Sequence, residues 1–170
     1  DVSLSNNATL SYLRSADTAI ANTITGAGNV SATITGAGSD LTVNHSISIT
    51  GGTINLAADG NLSVTQAIGT NNTSANALVL NAGAATSAGT ASGGDITFSG
   101  SGSVSVGNGA RATLYTGSVA GSTGLGVTTG NNRYNSDELT SNFSTALGSG
   151  TYAIYREAPV VSLKYDNASK

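Results

Sequence analysis

Asp40, Asp59 and Asp95 stand singly among Gly, Ser, Asn and Thr. Sugar chemistry on a scaffold of stacked strands needs paired carboxylates, with Arg, Lys or Ca²⁺ close by to stabilise the charge that develops on the sugar. Isolated acids do not supply that pairing, and Asp95 takes the place of Thr53 in an internal repeat, which reads as an ordinary outward strand position. The one histidine, His45, lies between Asn44 and Ser46 and has Gln66 as its equivalent 21 residues on, a polar corner. With no Cys and no second His, neither a metal centre nor a nucleophilic triad can be assembled. Calcium-loop spacings are absent as well. The chain is therefore expected to have no catalytic residue, no metal ligand and no cofactor.

Recognition has slightly more material. Sugar binding uses exposed aromatic rings beside polar groups, and Tyr134, Tyr152 and Tyr155 are the one cluster able to provide them; the same rings would serve equally to cover an end of the fold. Thr23-x-Thr25 and Thr33-x-Thr35 suggest a flat water-ordering array, but Ser46, Ser48 and Thr50 do not continue it with regular Thr, so a stacked polar ladder is expected. Asn-x-Ser/Thr triplets at Asn7, Asn29, Asn44, Asn61, Asn71, Asn72, Asn142 and Asn167 allow modification of the amide without requiring it. The net charge of −3, with six Lys and Arg scattered along the chain, removes the electrostatic basis for nucleic-acid binding. No long apolar run or basic amphipathic face supports membrane insertion. The absence of cysteine excludes a disulfide framework. A chain that starts at Asp1 and lacks Met is read as a piece of a larger protein, with any targeting signal outside it.

The elements that must carry these residues are strands. Gly51-Gly52-Thr53-Ile54-Asn55-Leu56 and Gly60-Asn61-Leu62-Ser63-Val64 recur as Gly93-Gly94-Asp95-Ile96-Thr97-Phe98 and Gly102-Ser103-Val104-Ser105-Val106, an offset of 93 − 51 = 42 residues. Half of that, 21, separates Leu41 from Leu62, Val43 from Val64 and Ile47 from Ile68, and suits one turn of a three-sided coil. Thr23–Gly28 also returns as Thr33–Gly38 ten residues later, the length of one strand and one corner. Apolar/polar alternation at fixed spacing with small-residue corners means a β-solenoid, so the fold class is all-β, a right-handed parallel β-helix with a C-terminal capping segment; right-handed because parallel crossovers overwhelmingly are. Ile54, Leu56, Leu62, Val64, Ile96, Phe98, Val104 and Val106 should face its core. Charged residues form 9% of the chain against roughly a quarter in ordinary domains, so uncharged polar side chains must solvate the outside. Six coils are expected between Ala8 and Val127, rising ~4.8 Å each to a rod of about 30 Å. Asp59-Gly60-Asn61, Gly100-Ser101-Gly102 and Gly107-Asn108-Gly109 are read as corners, and Ala82 to Ser92 as a longer loop. Residues 1–130 are thus assigned to coils. Residues 131–158, crowded with charge and aromatics, are assigned to a cap and linker with one short helix over Ser136–Leu147, where Ser136 would cap and Asp137 and Glu138 would meet the helix dipole. Residues 159–170 would begin a further module with a strand over Val160–Tyr165.

Three segments carry a resemblance. Arg111-Ala112-Thr113-Leu114-Tyr115-Thr116-Gly117-Ser118, Arg133-Tyr134-Asn135-Ser136-Asp137-Glu138 and Tyr152-Ala153-Ile154-Tyr155-Arg156-Glu157-Ala158-Pro159 resemble the filamentous-haemagglutinin-like large exoproteins of Gram-negative two-partner secretion. Val160 to Lys170 is similar to the first strand of the MBG modules, immunoglobulin-like domains that follow the β-helix in many of them. The resemblance implies a β-helical rod, passed through an outer-membrane transporter and secreted or displayed at the bacterial cell surface, acting in adhesion, aggregation or biofilm formation. It implies a host-cell glycan or matrix protein as partner of the parent protein, and it brings no catalytic motif. Three functions follow in order: a structural stalk, a module that binds glycan or matrix directly, and a carbohydrate-active enzyme.

Overall fold

The computed structural model describes residues 1–160 as strands and corners, with no helix among them. The chain visits three sides in strict rotation. β1 (Val2–Leu4), β2 (Thr9–Arg14) and β3 (Thr18–Ile20) make the first coil; β4 (Ile24–Gly26), β5 (Asn29–Ile34) and β6 (Leu41–Val43) the second. β7 (Ile47–Ile49), β8 (Ile54–Ala58) and β9 (Leu62–Val64) follow, then β10 (Ala67–Thr70), β11 (Leu78–Ala82) and β12 (Ile96–Phe98). The fifth coil holds β13 (Ser103–Ser105), β14 (Arg111–Thr116) and, in place of a third strand, a bridge from Thr97 to Thr123. β15 (Asn132–Arg133) and β16 (Gly150–Tyr155) extend one side only. Every pairing is parallel. Side one runs β1-β4-β7-β10-β13, side two β2-β5-β8-β11-β14-β16-β15, and side three β3-β6-β9-β12. This is a three-sided parallel solenoid of five coils, plus two further strands on side two. Seven rungs at ~4.8 Å give side two a height of about 30 Å.

The inward columns explain why these residues make these strands. Ile24, Ile47 and Ile68 stack on side one, Leu56, Leu80 and Leu114 on side two, and Val43, Val64 and Phe98 on side three. Period-two alternation leaves their neighbours outside, and each fully buried aliphatic contributes about 1.5–3 kcal/mol. Of the eight residues expected to face the core, Ile54, Leu56, Leu62, Val64 and Ile96 are fully enclosed and Phe98 is buried. Val104 and Val106 are half-buried against the same cluster at the last coil.

The 21-residue pairs Leu41/Leu62, Val43/Val64 and Ile47/Ile68 are neighbouring rungs. The 42-residue repeat is not a stacking period. Ile54 and Leu56 lie on side two, whereas Ile96 and Phe98 lie on side three; the same strand–corner–strand phrase is used one side later. The cause is unequal coil length: Val30 to Ile54 is 24 residues, but Leu78 to Ala112 is 34 and Leu62 to Ile96 also 34. Residues 83–95, the loop expected over Ala82 to Ser92, interrupt the fourth coil. Asp95 is consequently not the counterpart of Thr53. The first coil starts at Val2, so five coils and not six are complete before Val127.

The helix over Ser136–Leu147 does not form; residues 134–149 are irregular. The residues expected to start it instead satisfy backbone locally. Asp137 Oδ1 accepts the N–H groups of Leu139 and Thr140, Ser136 Oγ accepts that of Asn142, and Asn135 sits at φ 52°. Such side chains compete with helical bonding when no apolar stripe pulls the segment into a helix. Of the module proposed over 159–170, residues 161–170 lie outside the described residues.

Corners bring coil backbones into contact. A Cβ on Gly52 would sit 2.0 Å from the carbonyl oxygen of Gly28 in the coil before, while one on Gly51 would meet nothing within 4 Å. Gly52→Ala should therefore destabilise the fold by about 1–3 kcal/mol and Gly51→Ala should change it by under about 0.5 kcal/mol. Denaturant unfolding of the two neighbours measures the contrast, and equal losses would contradict this packing.

Candidate functional site

The carboxylates are arranged by the solenoid in a way the sequence conceals. Asp17, Asp40, Asn61 and Asp95 each precede the first residue of a side-three strand, so they stack in one column. Asp17 Oδ1 accepts the N–H of Asp40 (2.9 Å), Asp40 Oδ1 that of Asn61 (2.6 Å), Asn61 Oδ1 that of Asp95 (3.0 Å) and Asp95 Oδ1 that of Ser118 (2.6 Å). Asp95 also receives the hydroxyls of Ser118 and Ser122. The three that end on a carboxylate are charge-assisted, a kind of bond that is short and strong, and all four tie each coil to the next. A cavity of about 270 Å³ opens beside the first two members, lined by Asp17, Thr18, Ala19, Asp40 and Thr42. It brings the carboxylates of Asp17 and Asp40 beside the hydroxyls of Thr18 and Thr42, with no cationic side chain in the lining. Among the described residues no group of three or more His, Cys, Asp or Glu is placed to hold a metal. Asp59 lies in the same corner as Asn61, two residues before it, and His45 lies at the corner between β6 and β7.

The threonines form staples between coils. Thr23 and Thr25 flank Ile24 on side one, where Thr25 is in register with Ser3, Ser48, Gly69 and Ser105. Thr33 and Thr35 belong to side two and the corner beyond it, so the two Thr pairs share no face. Thr35, Thr50 and Thr65 each donate a hydroxyl hydrogen bond to a carbonyl of the coil before: Arg14, Gly26 and Val43. The Asn triplets divide similarly. Asn7, Asn44 and Asn71 are exposed at corners, whereas Asn29, Asn61, Asn72 and Asn142 are engaged with Thr53, Asp40, Gly51 and Asn135; Asn167 lies outside the described residues.

Tyr134, Tyr152 and Tyr155 are separated by the pleat of β16. Tyr155 points inward in the column of Ala82 and Thr116 and is 7% exposed. Tyr134 stacks on it, ring centroids 5.4 Å apart and planes 14° from parallel, and keeps 40% exposure. Burial, then the Tyr134 neighbour, raises the Tyr155 phenol above its ordinary value. Tyr152 points to the opposite face and is buried there; its hydroxyl accepts the N–H of Gly148, and the Arg133 guanidinium lies 5.4 Å from its ring and 5.6 Å from that of Phe143. Alternation along a strand puts residues 152 and 155 on opposite sides. The three rings therefore form no common platform, and Tyr134 alone offers an accessible face.

Sequence reasoning missed Arg156. Its side chain is fully buried. Nε donates to the carbonyl of Thr86 (2.7 Å), Nη1 to that of Ala82 (2.5 Å), and Nη2 to Asn81 Oδ1 (2.6 Å) and Glu138 Oε2 (3.0 Å). Beside it Asp137 Oδ2 accepts the N–H of Ala88 (2.7 Å). No local pattern marks the residue, because its partners come from 18 to 75 residues away.

Burial opposes the charge on Asp137, but the N–H groups of Ala88, Leu139 and Thr140, with the Thr140 side chain, outweigh it and hold the carboxyl below its ordinary value. A depressed carboxyl stabilises the fold fully above its unfolded-chain value and loses that contribution as pH falls through the lower folded value. The amide of Ala88 should accordingly lose exchange protection in acid, below the ordinary aspartate range. Asp137→Asn should abolish that step; a step that persists in the variant assigns it to another carboxylate.

No protein-family model, no curated protein and no solved structure matches this chain.

Proposed function

We propose that this chain is a stalk segment of a secreted or surface-displayed bacterial adhesin, a right-handed β-helix that supports attachment, aggregation or biofilm formation by holding other parts of its parent protein away from the cell. The observation that carries the reading is the Asp17–Asp40–Asn61–Asp95–Ser118 column: the side chains best able to act on a ligand are directed along the axis to the backbone of the next coil. A rod of this kind gains stability from every added coil. Right-handed winding is the sense in which parallel strands and their crossovers overwhelmingly pack.

The segment after Gly130 acts in this reading as a cap. It adds strands to side two, lays Tyr134 over Tyr155, and follows a stretch in which Leu125 is buried and Val127 packs on the core. A fold stacked coil by coil, without disulfides, also suits export through an outer-membrane transporter followed by folding outside. Host-cell glycan or matrix protein would then be met by the parent protein. The second reading, direct recognition by this chain, rests on the accessible face of Tyr134.

Binding of the purified chain to arrays of glycans and matrix proteins separates the two, with circular dichroism confirming β structure in the same sample. The stalk reading expects folded protein and no saturable binding. Saturable binding that Tyr134→Ser abolishes would establish direct recognition and displace it.

Mechanical extension also predicts that a coil can be removed. Excising residues 44–64 joins Val43 to Thr65 and leaves Ile24 over Ile68, Val30 over Leu78 and Leu41 over Ile96, because each pair already shares an intervening neighbour. The shortened chain should remain folded and be shorter by one rung, ~4.8 Å, as measured by small-angle scattering. Loss of β structure would show that the coils are not interchangeable units.

A further inference from the structure

On side two the outward columns change character along the rod. Ser11 and Asn55 are exposed, but Thr113 and Tyr152 in the same column are buried; Leu13 is 67% exposed, while Ile154 in its column is fully enclosed. The covering at that end involves two irregular stretches, residues 83–95 and 134–149. Apolar contact is thin in both stretches: none of their large hydrophobics is fully buried, Leu139 is 93% exposed, and the second stretch has only Tyr134 on Tyr155 and the half-buried Phe143 and Leu147. Polar bonds hold them, and those bonds converge. Arg156 donates to Ala82 and Thr86 on one side and to Glu138 on the other, and its own carbonyl accepts the N–H of Gly89 (2.7 Å). Asp137 in the second stretch accepts from Ala88 in the first (2.7 Å). The N–H groups of Asn135 and Ser136 return to the carbonyls of Glu157 and Tyr155 (2.9 and 3.2 Å).

We infer that Arg156 joins residues 83–95, residues 134–149 and β16 into one clasp that opens as a unit, exposing the outer face of β14 and β16 while the first three coils stay wound. The guanidinium is the only charged side chain buried among the described residues. Its loss strands acceptors on both stretches at once, since Ala82, Thr86, Asn81 and Glu138 would each keep a lone pair directed at an empty site. The first three coils share no bond with the guanidinium and meet the first stretch only at its ends, through Ala58, Gly60, Asn61 and Leu62, and a solenoid passes stability only between neighbours. Opening uncovers Tyr152 and Ile154, apolar side chains in positions that are Ser11 and Leu13 at the other end of the rod.

Hydrogen exchange of the full chain, read by mass spectrometry, tests the coupling. Arg156→Met should speed exchange in 83–95, 134–149 and β16 together, by about 100-fold or more, with residues 2–57 unchanged. Asp137→Asn, a milder change in the second stretch, should also speed the first. In the unmutated chain the stretches should reach the same opening free energy as denaturant is raised, a measurement that stands even if Arg156→Met fails to fold. Independent opening of the two stretches in the unmutated chain, or exchange that rises equally in residues 2–57, would overturn the clasp.

Discussion

A parallel rung has no way to satisfy its backbone alone. Each N–H and C=O of the ladder points to the coil above or below, and the apolar side chains inside a coil are covered only by the same residues' counterparts one rung away. The rest of this molecule follows from that constraint. Corners must bring backbones close enough for the ladder to continue, which is why Gly52 lies where a Cβ would strike Gly28. Sides must keep strict alternation, which is why Ile24 and Ile47 recur between hydroxyl-bearing neighbours and Ile68 between the small Ala67 and Gly69.

Polar side chains obey the same axis. A chain with so few charges could have used its carboxylates to remain soluble or to bind cations. Four of the five members of the side-three corner column instead accept the next member's N–H through a side-chain oxygen. Each bond is worth about as much as a helix N-cap, on the order of 1 kcal/mol. Their placement serves register more than total energy: a two-residue slip along side three would keep the inward pattern alive, but the Asx column would lose its partners. Hydrophobic alternation fixes which face is in, and the column fixes which residue meets which.

The sequence made the strand character legible because alternation is local, and it made single-turn spacing legible where coils have equal length, as for Leu41 and Leu62. It misled where length varied. The 42-residue echo of Gly51–Val64 in Gly93–Val106 is real as a phrase, yet side identity depends on the running sum of residues, and the 83–95 insertion shifts that sum. The same shift carries Asp95 to a side-three corner while Thr53 precedes a side-two strand. The helix expected over Ser136–Leu147 failed because its capping residues are also good turn formers, and nothing apolar at helical spacing decides between the two outcomes. Nearness in sequence does not group the tyrosines in space, because residues 152 and 155 of one strand must face apart. Arg156 was illegible because all of its side-chain partners are distant in sequence.

The end of the rod turns on an inversion of order. Successive strands elsewhere on side two are added outward, each beyond the last, but β15 precedes β16 in the chain and lies outside it. β16 therefore occupies the position between β14 and β15, in register with all six residues of β14. β15 cannot pair until β16 has arrived, so the final edge forms only after the chain has passed it and returned through residues 134–149. Among the described residues, what that edge presents is two residues, Asn132 and Arg133, in place of the six-residue strand beneath. A short edge ending in a charge is a poor template for further strands, whereas an uncovered β16 would be six residues long with Tyr152 and Ile154 on one face and Ala153 and Tyr155 on the other. The order of elements thus converts the strand most prone to recruit a neighbour into an interior one, and the buried Arg156 at its end fixes in place the two loops that lie across it.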